Sequence, residues 1–267
     1  MNERRLSVRA GKLLAFYGAV LAAPSVSAGI DPAQAVTPAV TEHVVEGSPL
    51  LTSTDANSQP PVFGRTYAEW TAKWWQWVLL GTESSNVLDD ETGALCASNQ
   101  PKQKVWFLAG TRGKAGVQRQ CTIPANRALL FPLVNIMWTD CPNSPDEDLT
   151  DAEVRAILAG VDDLDCQISA TLDGVPIAAH ELLTVRTQST KFHSVLPKNG
   201  LGAGDCTPKI PPGRTGRQLA DGYWVMVPPL SPGKHVLAMH GARCDAKTGN
   251  PLFETGVSYE LKILRGP

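Results

Sequence analysis

The chain has 267 residues and a formal net charge of −2, with 24 Lys and Arg against 26 Asp and Glu. Outside the first nine residues no basic block occurs, which argues against a nucleic-acid partner. The 23 glycines and 21 prolines are typical of many short strands joined by ordered loops, and the chain is long enough to bury a substantial core.

The N-terminus has the pattern of a targeting segment. A positively charged start precedes an apolar run from Leu13 to Ala23 and the small-residue site Val26-Ser27-Ala28. This order predicts a secretory signal peptide over residues 1–28, and it leaves Sec and twin-arginine export open. The run is shorter than the roughly 20 residues that span a bilayer, and no later run is longer, so no membrane span is predicted. We expect a periplasmic or secreted protein.

Two further regions follow the signal peptide. Residues 29–61 are rich in Pro, Thr, Ser and Ala and show no period, which predicts a poorly ordered leader. Residues 62–267 then form a single β-rich domain.

All six cysteines lie in this predicted mature chain. They are Cys96, Cys121, Cys141, Cys166, Cys206 and Cys244. An even number of cysteines in an exported chain predicts three disulfides. Six cysteines allow 15 connectivities. We expect the sequential pairs 96–121, 141–166 and 206–244, because each pair brackets one compact unit.

The first predicted helix is unusually rich in tryptophan. Thr66 and Glu69 form a capping box, which predicts a helix near 67–80 with Glu69 also placed to pair with Lys73. Aromatic residues spaced 3, 4 and 3 positions apart share one face, and these are Tyr67, Trp70, Trp74 and Trp77. Such a stripe predicts docking on a sheet. Trp75 points elsewhere and is the better candidate for stacking on a ligand.

Strand patterns begin after this helix. Residues 104–111 and 117–123 are predicted to pair as a hairpin. The nearly continuous apolar run from Ala128 to Trp138 predicts a central buried strand, with Pro132 marking a bulge or an edge. A second capping box, Thr150 with Glu153, predicts a helix near 151–164.

The remaining chain has the pattern of antiparallel strands. Asp173-Gly174 is a hairpin signal, and residues 180–188 read as a further strand. Apolar residues alternate with polar ones over residues 257–263, which predicts a strand with one buried face. The predicted fold is mainly β: an antiparallel β-sandwich or jelly roll with two packed α-helices.

Several blocks of the chain resemble a family of uncharacterised exported bacterial proteins. The blocks are WTAKWWQWV, VWFLAGT, CTIPANRALLFPLVN, DGYWVMVPPLSPGKHVLAMHG and VSYELKI, and the likeness covers most of the chain from Thr66 onward. The resemblance implies secretion and a single β-rich domain. It implies no reaction and brings no catalytic residue to this chain.

Candidate catalytic residues come from the β-rich half. An extracytoplasmic enzyme of hydrolase, lyase or isomerase type would use His193, His240 and Arg186, with Asp140 from the acidic loop, at one end of the sandwich. A serine nucleophile beside His193 is a further alternative, although no GxSxG motif is present. Whether the protein is an enzyme stays open at this point.

Acidic groups are the more suggestive metal ligands, and a site that combines His240 with His193 or His180 is an alternative. Asp162, Asp163 and Asp165 follow the second helix, where carboxylates are unfavourable to the helix dipole. Oxygen-rich loops of this kind suit calcium, although the EF-hand spacing is missing. No other cofactor is predicted.

The leading prediction is therefore an exported, disulfide-stabilised β-sandwich that acts as an extracytoplasmic binding or structural module. Its partner would be a small molecule, a glycan or a protein. The enzyme is one alternative, and a carbohydrate-binding module that uses Trp75 or Trp224 is another.

Overall fold

The computed structural model describes residues 13–14, 50–51, 62–144, 148–201, 206 and 209–266. The predicted signal peptide and leader lie outside the described residues, apart from four positions. Leu13 and Leu14 pair with a later strand, Leu50 is buried in the core, and the Leu51 amide donates to the Met226 carbonyl at 2.9 Å. Within the described residues, no helix has the length and apolarity required to cross a bilayer.

Helices and strands are numbered separately, each in chain order. The helices are α1 (Tyr67–Val78), α2 (Asp151–Asp162) and α3 (Ala179–Leu183). The strands are β1 (Leu13–Leu14), β2 (Val105–Phe107), β3 (Val117–Ile123), β4 (Ala128–Thr139), β5 (Asp165–Leu172), β6 (Val175–Pro176), β7 (Val195–Leu196), β8 (Gly213–Arg214), β9 (Gln218–Val227), β10 (Gly233–Cys244) and β11 (Pro251–Ile263). The protein is mostly β, as predicted.

Strand β4 is the centre of the first sheet. It pairs antiparallel with β9 along one edge, and parallel with β2 and antiparallel with β1 along the other. The β4–β9 register shifts between Pro132 and Val134. Pro132 has no amide hydrogen to donate to the ladder, so the predicted bulge falls where the chain cannot make a regular bond.

The second sheet has five strands in the order β3-β11-β10-β5-β6, and β7 and β8 form a separate pair. The β5–β6 hairpin turns at Asp173-Gly174, where both residues have positive φ, which confirms the predicted turn. Strand β11 alternates as expected over residues 257–263. It pairs parallel with β3, so the sheet is not purely antiparallel.

Two predictions about strands are wrong. β2 and β3 do not form a hairpin, because β2 pairs with β4 in the first sheet and β3 with β11 in the second. Residues 180–188 are not one strand either. They begin within α3 and continue as a segment whose backbone bonds to β9, for example from the Thr187 amide to the Gly222 carbonyl at 2.8 Å.

The core is divided by the first sheet. Alternate side chains of β4 enter two clusters: Leu130 packs with the tryptophans of α1, and Leu129 and Phe131 pack with β10 and β11 of the second sheet. A third, smaller cluster attaches α2 through Val154 and Leu158. One face of the first sheet therefore carries α1, and the other packs against the second sheet and α2.

The disulfides correct two of the three predicted pairs. Cys96–Cys121 forms as expected, whereas the other bonds are Cys141–Cys206 and Cys166–Cys244. Cys166 and Cys244 come together because β5 and β10 are neighbours in the second sheet. Sequential pairing fails here since strand order in space differs from strand order in the chain.

Candidate functional site

Helix α1 is fixed at its start and along its aromatic face. Thr66 and Glu69 exchange both capping-box hydrogen bonds, and the second box, at Thr150 and Glu153, does the same for α2. The aromatic stripe is buried, as predicted, and the Trp74 indole donates to the Leu108 carbonyl at 2.9 Å. With this face against the first sheet, the polar side chains of the helix must point to solvent or to a neighbouring loop.

The ligand-stacking tryptophans proposed from the sequence are not available. Trp75 is 3% exposed and Trp224 is 0% exposed. Trp75 meets Trp74 edge-on with ring centroids 5.2 Å apart, and Trp224 meets the same ring at the same distance. The tryptophan cluster is wider than one stripe, so the predictions that Trp75 or Trp224 stacks on a carbohydrate are wrong.

A concavity of about 400 Å³ lies beside the last turns of α1, and we name it the α1 pocket. Its apolar lining comes from Trp77, Leu80, Pro101, Phe107 and Val195. Val195 is 65% exposed and Leu80 is also exposed, although both are large aliphatic residues. Pockets of this size with mainly apolar walls are the usual sites for small molecules.

Six polar residues line the α1 pocket, and hydrogen bonds link three of them. They are Lys73, Gln76, Asn99, Gln103, His193 and Ser194. Lys73 Nζ donates to Gln76 Oε1 at 2.9 Å, and Gln76 Nε2 donates to the His193 carbonyl at 2.7 Å. The predicted Glu69–Lys73 pair is replaced by this bond, because Glu69 is engaged in the helix cap.

Two polar atoms at this site have no partner within the described residues. Ser194 is 2% exposed and its Oγ makes no hydrogen bond. His193 Nδ1 faces the Gly216 carbonyl at 2.8 Å, and since a carbonyl only accepts, Nδ1 carries the proton. In the neutral imidazole Nε2 is then an acceptor, and it has no described partner.

The four candidate catalytic residues do not meet. Asp140 accepts from Arg217 at 3.0 Å and from the Trp138 indole at 2.9 Å, while His240 Nε2 lies 2.8 Å from Glu254. Arg186 is bound to other carboxylates, and only His193 lines the α1 pocket. No hydrogen bond or ion pair among the described residues joins any two of the four, and their catalytic role stays a prediction.

A buried charge cluster holds Arg186 and the acidic residues that were considered for calcium. Arg186 Nη1 lies 2.8 Å from Asp163 and its Nη2 3.3 Å from Asp221. Arg243 contacts Asp162, and its Nε lies 2.8 Å from Asp165 without hydrogen-bond alignment. These carboxylates are thus engaged by arginines. In the part of the chain that the structure describes, no group of three His, Cys, Asp or Glu side chains is placed to hold a metal.

Burial dominates the titration of this cluster. It raises the pKa of Asp162 to about 8 and that of Asp165 to about 6, although Arg243 acts in the opposite direction on both. Both carboxylates are therefore harder to ionise than exposed ones. The cluster fastens the end of α2 to the second sheet.

A second groove, of about 690 Å³, crosses the exposed face of the second sheet beside the Cys96–Cys121 disulfide. Its lining is polar or aliphatic, with Lys234, Lys262 and Glu260 among the members, and it contains no aromatic side chain. The α1 pocket combines aromatic walls with several converging polar groups. It is therefore the better candidate for a ligand site.

Sequence reasoning missed most of the α1 pocket. Lys73 and Gln76 carry a usable signal, because they are polar positions three apart on a helix otherwise filled with tryptophan. Phe107 and Val195 come from distant strands and give no signal of their own. Comparisons with known proteins add nothing further, since no family model, no curated protein and no solved structure matches the chain.

Proposed function

We propose that the protein is an exported, disulfide-stabilised β-sandwich that binds a small molecule in the α1 pocket outside the cytoplasm. Three disulfides in a mostly β chain favour an oxidising compartment, where such bonds persist. The proposal keeps the signal peptide over residues 1–28 and the single domain over 62–267.

The observation that carries the proposal is the lining of the α1 pocket. Trp77 and Phe107 line the concavity with buried rings, and Lys73 and His193 bring polar side chains to it. Exposed aliphatic side chains at its edge, Leu80 and Val195, gain from being covered. A purely structural module has no need of such a combination.

A pair of valine substitutions tests this proposal. Val195→Trp places a large ring at the edge of the pocket, whereas Val175→Trp adds the same ring to an exposed hairpin elsewhere, where Val175 is 52% exposed. A library of small molecules is screened by ligand-observed NMR against the purified parent and both variants. We expect compounds that bind the parent and Val175→Trp but not Val195→Trp.

Two outcomes would contradict the proposed function. Compounds that bind all three proteins alike would place the ligand site elsewhere. A screen that finds no binder to the parent would favour the structural module instead.

A further inference from the structure

Lys73 is the one residue with a permanent charge in the lining of the α1 pocket. The other described lining residues carry no permanent charge, and no carboxylate is among them. Lys73 makes no ion pair within 4 Å of a described carboxylate. Glu69 is committed to the helix cap and attracts Lys73 only at longer range. An ammonium without a close ion-pair partner beside apolar walls favours a ligand that brings a negative charge.

Gln76 fixes the position of this ammonium. Its Nε2 is committed to the His193 carbonyl at 2.7 Å, so the opposite end of the amide, Oε1, is held in place and accepts from Lys73 Nζ at 2.9 Å. A lysine ammonium has three donors, and this bond uses one. The other two are left for a ligand, and the side chain has already lost part of its conformational freedom.

The rest of the pocket sets the shape of the ligand. Trp77 and Phe107 line the pocket with buried rings tilted by 54° to each other, and the exposed side chain of Val195 lies at its edge. These walls suit an apolar body. His193 Nε2 is an acceptor and requires a donor from the ligand. The C-terminal end of α1 carries partial negative charge, so the anionic group belongs at Lys73 and the apolar body toward Leu80.

We infer that the α1 pocket takes a small carboxylate with an apolar body and a hydroxyl or amine donor. This inference rests on the proposed function and adds the chemical class of its ligand. Lys73 binds the carboxylate, and Gln76 is a positioning residue that acts through Lys73.

The test compares an acid with its neutral counterpart. Isothermal titration measures 4-hydroxybenzoate and 4-hydroxybenzamide binding to the parent, to Lys73→Met and to the control Lys102→Met, since Lys102 is exposed and does not line the pocket. We expect the parent to prefer the acid by about tenfold. We expect Lys73→Met to abolish that preference, and Lys102→Met to retain it.

Three outcomes would overturn the inference. If the parent binds acid and amide equally, and Val195→Trp prevents both, the pocket binds ligands but does not select anions, and only the proposed function survives. If neither probe binds the parent while neutral compounds from the library do so in a Val195-dependent manner, the carboxylate class is wrong. If no compound of either kind depends on Val195, the proposed function fails as well.

Discussion

At the scale of single residues, two adjacent tryptophans have different roles despite equal burial. The Trp74 indole donates to the Leu108 carbonyl, whereas the Trp75 indole nitrogen is buried without a partner among the described residues. The sequence pattern places Trp75 off the stripe, as a candidate ligand contact and not as a core residue. Its burial corrects that prediction, and truncation of either ring to alanine should cost about 3–5 kcal/mol.

A phenylalanine substitution separates packing from hydrogen bonding at these positions. Trp74→Phe leaves the buried Leu108 carbonyl without its donor, while Trp75→Phe removes a donor that had no partner. We expect Trp74→Phe to lower the free energy of unfolding by about 1–2 kcal/mol more than Trp75→Phe does. Urea denaturation of the two variants measures the difference. Equal losses would mean that the Trp74 bond contributes nothing to stability.

The pocket residues show where sequence reasoning stops at this scale. Lys73 and Gln76 are recognisable on a helical wheel, but their partner is the backbone of His193, 117 residues from Gln76. Periodicity assigns side chains to a face of a helix. It carries no information on which distant segment will cover that face.

At the scale of elements, the caps and the tight turn are predicted correctly, whereas several pairings between distant segments are not. Both capping boxes form, and Asp173-Gly174 turns the β5–β6 hairpin, because these features depend on residues within three positions of each other. The predicted β2–β3 hairpin does not form, and the burial patterns of the two strands reflect this. β2 is buried at every position and β3 at alternate positions, so the two strands have different environments.

Two glycines test how closely elements approach each other. Gly160 lies in α2, and a Cβ added there meets nothing within 4 Å, so Gly160→Ala should stabilise the protein by about 0.5–1 kcal/mol. A Cβ at Gly241 of β10 would lie 2.4 Å from the Leu133 carbonyl oxygen of β4. Gly241→Ala should therefore destabilise it by about 1–3 kcal/mol.

Thermal or chemical unfolding of both alanine variants gives the comparison. Gly160→Ala is the matched control, since it makes the same chemical change at an open position. If Gly241→Ala were as stable as the parent, the close approach of β10 to β4 would be incorrect.

At the scale of the whole molecule, the ionisable groups give a pH dependence with a definite sign. Burial raises the pKa of Asp162 and Asp165 above the ordinary 3.8, so the folded state binds more protons than the unfolded state. Burial disfavours the protonated form of His235, but the hydrogen bonds of this residue to Asp173 and Ser231 outweigh burial and raise its pKa. All three contributions weaken as the pH rises.

We therefore expect the free energy of unfolding to fall by about 1–3 kcal/mol between pH 5 and pH 8. The contribution of Asp162 to stability declines as the pH rises from 3.8, its ordinary pKa, to about 8, its pKa in the folded protein. The contribution of His235 is lost as the pH rises above 6.5 and passes through the raised pKa of this residue. Urea titrations across this range provide the measurement. Asp162→Asn should show a shallower fall, because the group no longer titrates.

A stability that rises steadily from pH 5 to pH 8 would contradict this account of the charge cluster. A profile for Asp162→Asn that matches the parent would instead assign the pH dependence to His235 and Asp165.

The central claim is that one concavity of this fold, the α1 pocket, binds a ligand, and the indole of Trp77 reports on it directly. Trp77 lines the pocket and its Nε1 donates to the Ser98 carbonyl at 2.8 Å, whereas Trp106 and Trp138 belong to the other two core clusters. Protein labelled with ¹⁵N at tryptophan is titrated with a compound that binds the parent. The account predicts a shift of the Trp77 indole resonance, with those of Trp106 and Trp138 unchanged. A ligand that shifts Trp106 or Trp138 and leaves Trp77 in place would contradict it.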